Sequence, residues 1–352
     1  MKVAYTCLNH YADKEVLDLN FTPTARRLWD RQRAQQSLSE TLSLVKLADD
    51  LGFDYISFSE HHYTGGMMNP NPAVSAAAVS QLVKNAGVAL LGPLASINNP
   101  VRIAEELAML DHLTDGRIIC APLRGTPNEF VNYNVDADET RGRTQEAMLL
   151  IRKALTSLEP FSWDGTYFQF PVVSVWPGPT QTPHPPLYSS VNSPESVDFA
   201  ARHRFAAAAS YYEPQMIANI MDSYRDQCEK HGWTPSPEQQ LYRSYVVVGE
   251  SPAHAVELKE RFAGDNPPPH AFAPGLTSDA EMTKKDMAGF GFGFLQFVGD
   301  TSEVTEQIIE FQRMTGVGML DLGFTYGYFT HDETADMVTR FAKDVLPKLR
   351  GL

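Results

Sequence analysis

The densest group of titratable side chains is Glu60-His61-His62, and a histidine beside a carboxylate is suited to moving protons near neutral pH. A metal site is the competing chemistry. Adjacent residues of an extended segment point to opposite faces, however, so His61 and His62 do not readily close on one ion, and no His-x-His pair occurs. His61 is therefore the candidate acid/base group, and His62 reads as a packed, hydrogen-bonded neighbour. Cys7, Cys120 and Cys228 are far apart and form no CxxC, which suggests neither a disulfide framework nor a thiolate metal site. Arg124-Gly125 sets a fixed positive charge beside a flexible backbone, which suits a phosphate. Asn192-Ser193-Pro194-Glu195-Ser196 reads as a helix start, with Asn192 or Ser193 as cap, Pro194 at the first turn and amides turned to an anion. Together these two features outline a phosphate site.

Short apolar runs position these residues: Val3–Leu8, Tyr55–Ser59, Val88–Ile97, Arg117–Leu123, Leu187–Val191, Phe205–Ser210, Leu241–Val248 and Met319–Thr325. Most are separated by stretches with helical spacing, such as Leu38, Leu42, Val45, Leu47 and Leu51 before Gly52. Helices are expected over about Pro72–Lys84, Val101–Leu113 and Thr144–Leu158. Regular β-α alternation implies a parallel sheet covered by helices, and eight such units imply an α/β fold of the TIM type, an eight-stranded parallel β/α barrel. Its chemistry gathers at the C-terminal strand ends, where Glu60-His61-His62, Asn98, Arg124, Asn192-Ser193, Tyr211 and Tyr326-Gly327 all fall. The barrel accounts for about 250 residues and leaves about 100 for insertions. Phe161–Phe170 reads as a hairpin turning at Asp164-Gly165, followed by the Pro-rich stretch Pro177–Pro186. Gly264–Phe297, with its alternating Gly and Phe, reads as an insertion within a single domain spanning residues 1–352.

No GxGxxG follows the first strand, and GxxxxGK[ST] and GxSxG are absent, so the dinucleotide, P-loop and α/β-hydrolase readings lose their strongest supports. Twenty-nine basic against 43 acidic residues give a net charge of −14, which argues against nucleic-acid or anionic-membrane partners. The first residues lack an apolar leader-type run and no segment reads as a membrane span, so a cytoplasmic protein is expected.

Four segments carry a resemblance: FDYISFSEHHYTGG followed by NPNPAVSAAA, NNPVRIAEELAMLDHLTDGRI, FSWDGTYFQF with VWPGPTQTPHPPLY, and GVGMLDLGF. With them the chain resembles the bacterial luciferase-like family of flavin-dependent monooxygenases over most of residues 1–250 and 298–350, leaving Gly264–Phe297 unmatched. The resemblance implies FMN, used as FMNH2, which reacts with O2 to a flavin C4a-(hydro)peroxide that oxygenates a small, apolar organic substrate. It implies a separate NAD(P)H:flavin reductase and a homodimer built on the small-residue helix beginning at Pro72. His61 matches the family's active-site histidine, and Arg124 its phosphate-binding arginine. Asn192, Ser193 and Ser196 match its phosphate loop, with Asn192 in place of a glutamate. Leu91-Gly92 falls where the family often has a non-prolyl cis peptide under the flavin ring. Tyr211 falls where luciferase has a tryptophan beside the flavin, Leu123 where it has a reactive cysteine, and Asn98 belongs with the cofactor contacts. No metal is implied. The unmatched insertion would be a lid, with Phe290, Phe292 and Phe294 facing substrate. The same barrel also serves deazaflavin- or flavin-dependent hydride transfer, and a non-catalytic flavin-binding subunit is a third reading, opposed by the presence of His61 and Arg124.

Overall fold

The computed structural model describes residues 1–11, 13, 16, 23–64, 67–263, 295–324 and 329–352. Eight strands of one sheet run in the order β4-β3-β2-β1-β11-β9-β8-β7, all parallel. They are β1 (Lys2–Thr6), β2 (Tyr55–Phe58), β3 (Gly87–Leu94), β4 (Ile118–Leu123), β7 (Tyr188–Ser190), β8 (Ala206–Ser210), β9 (Gln240–Val248) and β11 (Met319–Gly323). The two ends of the sheet meet where Cys120 bridges Leu187 and its N–H reaches Pro186 O at 2.9 Å, so the barrel is nearly closed. β5 (Phe161–Asp164) and β6 (Gln169–Val173) form the expected antiparallel hairpin outside the barrel, with the turn at residues 165–168. Glu146 pins that turn, accepting from Trp163 Nε1 (3.1 Å) and the N–H groups of Thr166, Tyr167 and Phe168 (2.9–3.0 Å).

The expected insertion differs at its end. β10 (Leu295–Gly299) pairs in parallel with the second half of β9, so this part is sheet rather than loop. The remainder, with Phe290, Phe292 and Phe294, lies outside the described residues, as do Tyr326 and Gly327.

The helices used below are α1 (Arg31–Asp50), α2 (Pro72–Ser80), α3 (Pro100–Leu113), α4 (Pro127–Asn132), α5 (Thr140–Thr156), α6 (Pro194–Arg202) and α7 (Pro214–Lys230). Four of them begin with Asn, Thr or Ser followed by Pro, at Asn71, Asn99, Thr126 and Ser193. The side chain satisfies an orphan amide and Pro fills a position that needs no donor, so the chain turns sharply from strand end into helix. α2 is shorter than its spacing suggests, and α5 begins four residues earlier, at Thr140. α4 is a further helix, absent from the expected set.

Apolar side chains divide between two layers. Val3, Ile56, Val88, Leu90, Ile118, Val246 and Leu320 face outward under the helices, whereas Ala4, Ala89, Leu91, Ile119, Ala121, Leu241 and Met319 fill the lumen. The alternation is the period-2 pattern of a strand buried on both faces. Cys7, Cys120 and Cys228 are buried free thiols, and burial raises all three pKa values.

Candidate active site

Immediately after β2 the two histidines are held by different carboxylates. Buried Glu60 accepts from His62 Nε2 (2.7 Å) and Asn98 Nδ2 (2.8 Å) on one oxygen and from Leu94 N (3.0 Å) on the other. His62 Nδ1 then accepts from the Tyr133 hydroxyl at 2.9 Å, and the two rings meet edge-on at 4.6 Å. Both nitrogens of His62 are committed to packing, as its sequence reading implies.

His61 is placed differently. Its side chain is 19% exposed, and Nδ1 lies 3.2 Å from Oε1 of Glu129, whose own side chain is 1% exposed. Burial pushes the Glu129 carboxyl up, but the His61 ring and the N–H and hydroxyl of Thr126 outweigh it and hold the group below its ordinary value. A buried carboxylate on one ring nitrogen fixes the orientation and tautomer of the other, the arrangement of a proton-transferring histidine.

α4 supplies this support. Asn128 Nδ2 donates to His62 O (3.3 Å), Glu129 reaches His61, and Tyr133, its C-cap, reaches His62. The helix is too short to show periodicity, although Thr126-Pro127-Asn128-Glu129 is a readable capping box with Pro at the first turn.

Beyond β4, Gly125 has φ +88, the left-handed region open to glycine, and the Arg124 guanidinium packs over Phe130 at 5.5 Å. Ser96 Oγ donates to Arg124 O (2.5 Å), while Ser96 O accepts from Arg143 Nε (2.9 Å). Two residues earlier on α5, Arg141 donates to Ser193 Oγ (2.9 Å) and Glu195 Oε2 (3.1 Å). Strand-four arginine, α5 and the start of α6 thus form one connected rim. Arg141 was not among the sequence candidates, because the first turn of α5 (Thr-Arg-Gly-Arg) has no apolar periodicity.

Of the two candidate caps, Ser193 caps α6, and Asn192 precedes it and is exposed. One expectation needs correction here. The amides of Ser193 and Ser196 are not turned outward, because each is taken by the other's hydroxyl (2.9 and 3.3 Å) in a reciprocal box. The positive charge at this helix start comes from Arg141 instead. Asn98 donates its amide nitrogen to Glu60 and to Leu94 O (3.1 Å), and it lines a cleft of about 270 Å³ beside α2 and α3.

Within the lumen, the Leu91–Gly92 peptide is cis, as the resemblance implies. A Cβ on Gly92 would fall 1.6 Å from Ala121 O, so only glycine fits there. Leu91, Ala121 and Leu123 make this wall apolar. The opposite wall carries Tyr211, stacked on Tyr245 at 6.0 Å, and a buried ion pair, Arg243–Asp321. Asn9, Tyr63 and Tyr211, just past β1, β2 and β8, all have positive φ (44, 57 and 63). Such conformations cost about 1–3 kcal/mol in a non-glycine residue and concentrate where function requires them.

Residues 20–317 match the family described as luciferase-like monooxygenase. The oxygenase component of a flavin-dependent trigonelline monooxygenase from Acinetobacter baylyi is 26% identical over 64% of this chain and 64% of its own length. An FMNH2-dependent dimethylsulfone monooxygenase from Pseudomonas putida is 24% identical over 91% of this chain and 90% of its own. Among solved structures, the monooxygenase RslO1 from Streptomyces bottropensis superposes with TM-score 0.81 at 23% identity, covering 99% of both chains, and shares the fold.

Proposed function

The chain belongs to the luciferase-like monooxygenase family, and from that premise we propose that it is an FMNH2-dependent oxygenase component, taking O2 and a small organic substrate. The observation that carries this reading is the His61–Glu129 pair at the C-terminal mouth of the barrel, its carboxylate on the same connection after β4 as Arg124. The residues fit a flat phosphorylated cofactor. Leu91, Gly92 and Leu123 offer a flat apolar wall, and Arg124, Arg141, Ser193 and Ser196 offer cation and hydroxyl donors for its phosphate. Reduced flavin, when bound, supplies the two electrons needed to activate O2.

Each residue then has a definite task. Arg124 and Arg141 hold the phosphate, with Ser193 and Ser196 as hydroxyl partners and Asn192 at the edge. Tyr211 would close the lumen from the wall that faces the cofactor. His61 gives or takes a proton through Nε2, with Glu129 as its positioning residue. Asn98 acts through Glu60, holding the end of β3 in place. A separate NAD(P)H:flavin reductase would deliver FMNH2, since the trigonelline enzyme is named as an oxygenase component. The whole of residues 1–352 would act as one cytoplasmic domain; among the described residues no helix is long and apolar enough to cross a membrane.

The assembly would be a homodimer. Val74 (66% exposed) on α2 and Met109 and Leu113 on α3 are exposed apolar side chains of the two helices that flank the cleft.

The test is to titrate FMN, riboflavin and a deazaflavin cofactor into the protein, then mix photoreduced FMN and enzyme with ¹⁸O2 and a panel of small organic compounds. Tight FMN binding and incorporation of one ¹⁸O atom are expected. Preference for the deazaflavin, with reduction but no ¹⁸O, would overturn the reading in favour of hydride transfer.

A further inference from the structure

The barrel lumen has two unlike walls at the level of its mouth. On the β3–β4 side it is lined by Leu91, Ala121 and Leu123. Across from them, Arg243 stands beside Asp321 in register on neighbouring strands, and its partner on the other side is Ser210, the last residue of β8. Asp321 is wholly buried and fully satisfied: Oδ1 accepts from Thr6 Oγ1 (2.7 Å) and Ser57 Oγ (2.6 Å), Oδ2 from Arg243 Nε. The Arg243 side chain is 12% exposed, reaches Ser57 Oγ through Nη2 (3.4 Å), and lies within hydrogen-bonding reach of the Tyr211 phenol. One layer deeper the lumen is filled by Ala4, Ala89, Ile119, Leu241 and Met319 with no charge at all. A packed apolar layer is at least as stabilising as a buried ion pair, so stability does not account for the pair.

We propose that the Arg243–Asp321 pair is the polar anchor of the substrate site, and that it selects a neutral hydrogen-bond acceptor, such as a ketone or aldehyde oxygen, over a carboxylate or sulfonate. Asp321 already neutralises the guanidinium, so Arg243 offers N–H donors, with the Tyr211 phenol beside them, without net charge. An anionic substrate would leave one uncompensated negative charge in a buried site of a protein whose net charge is −14. A neutral carbonyl accepts the same donors without that penalty. The proposal rests on the flavin reading only for the side of the lumen that the cofactor takes.

The test uses isosteric pairs: acetophenone with benzoate, and cyclohexyl methyl ketone with cyclohexanecarboxylate. Each is titrated calorimetrically into the flavin-free and the FMN-loaded protein. The ketones are expected to bind at least about tenfold more tightly than their carboxylates. Asp321→Asn removes the neutralising charge and should invert the preference, a result that a merely structural role for the pair would not produce. The double variant R243M/D321N leaves no charge unpaired and should fold, bind FMN as before and lose the preference; it carries the test if Asp321→Asn alone does not fold. Equal or tighter binding of carboxylates to the native protein, an unchanged preference in the variants, or no saturable binding of any probe overturns the proposal. Failure to bind FMN, with the ketone preference intact in the flavin-free protein, overturns the flavin reading instead.

Discussion

Replacing Glu129 with Gln isolates the support of His61 while keeping its shape. The native carboxylate accepts from His61 Nδ1, Thr126 N and Thr126 Oγ1. A carboxamide has one acceptor oxygen, so its NH2 must face one of these donors, and the negative charge that strengthened all three bonds is gone. A bond to a charged group is worth about 1.5–3 kcal/mol, and about 2 kcal/mol is a fair loss for a site 1% exposed. With about 2.1 cal/mol/K of unfolding entropy per residue, a chain of 352 residues responds at about 0.7 kcal/mol per degree, so Tm should fall by about 3 °C at pH 7. Because the folded pKa of Glu129 lies below its ordinary value of 4.5, its contribution is fully present above that value and is lost as pH falls through the lower folded one. The Tm gap between native protein and variant should therefore close as pH falls below the ordinary carboxyl value of 4.5. Turnover should drop about 10- to 100-fold, as for loss of a group that orients a functional histidine, with FMN affinity unchanged. Differential scanning calorimetry across pH and single-turnover product yield read these quantities. A variant with native turnover, alongside an inactive His61→Ala, would refute the idea that Glu129 positions the ring.

Arg124→Met should raise the Kd for FMN about 10- to 100-fold and leave riboflavin binding unchanged, because only the phosphate contact is lost; flavin fluorescence quenching measures both. Arg141→Met should show the same selectivity with a smaller effect, since its side chain is 41% exposed and shared with Glu195. Glu146→Ala removes the acceptor for four donors of the β5–β6 turn, so limited proteolysis should cut within residues 165–168 while the barrel stays intact. Val74→Glu with Met109→Glu should give a monomer by size exclusion with light scattering; an unchanged dimer would place the interface elsewhere.

The barrel was legible because each of its eight strands is a short apolar run bounded by turn residues, and those runs coincide with the observed strands to within a few residues. What escaped was short, polar or dependent on distant contacts. β10 lies at the end of a Gly-, Phe- and Pro-rich stretch, which hides its strand character. The first turn of α5 is polar, so Arg141 and Arg143 read as loop. His61 and His62 could be singled out by type, but their carboxylates could be assigned only in three dimensions: Glu129 is 68 residues away from His61. Arg243 and Asp321 did leave a trace. Each is a lone charge in an apolar strand, QLYRSYVVV and MLDLG, at a position whose neighbours two residues away face the lumen.

The six-residue α4 has a consequence for how this site can change. Both histidines leave β2, yet both are steadied from the connection that follows β4, and that same connection begins with Arg124. Residues 124–133 thus work as a ruler, setting the separation between the seat of the phosphate and the proton-carrying ring. An insertion in the loop bearing the histidines, after His62, leaves the spacing between Arg124 and Glu129 as it is. A single residue added between Arg124 and Glu129 would reset it, so divergence of chemistry within this barrel is expected to be written in the length of the strand-four connection before it is written in the histidines themselves.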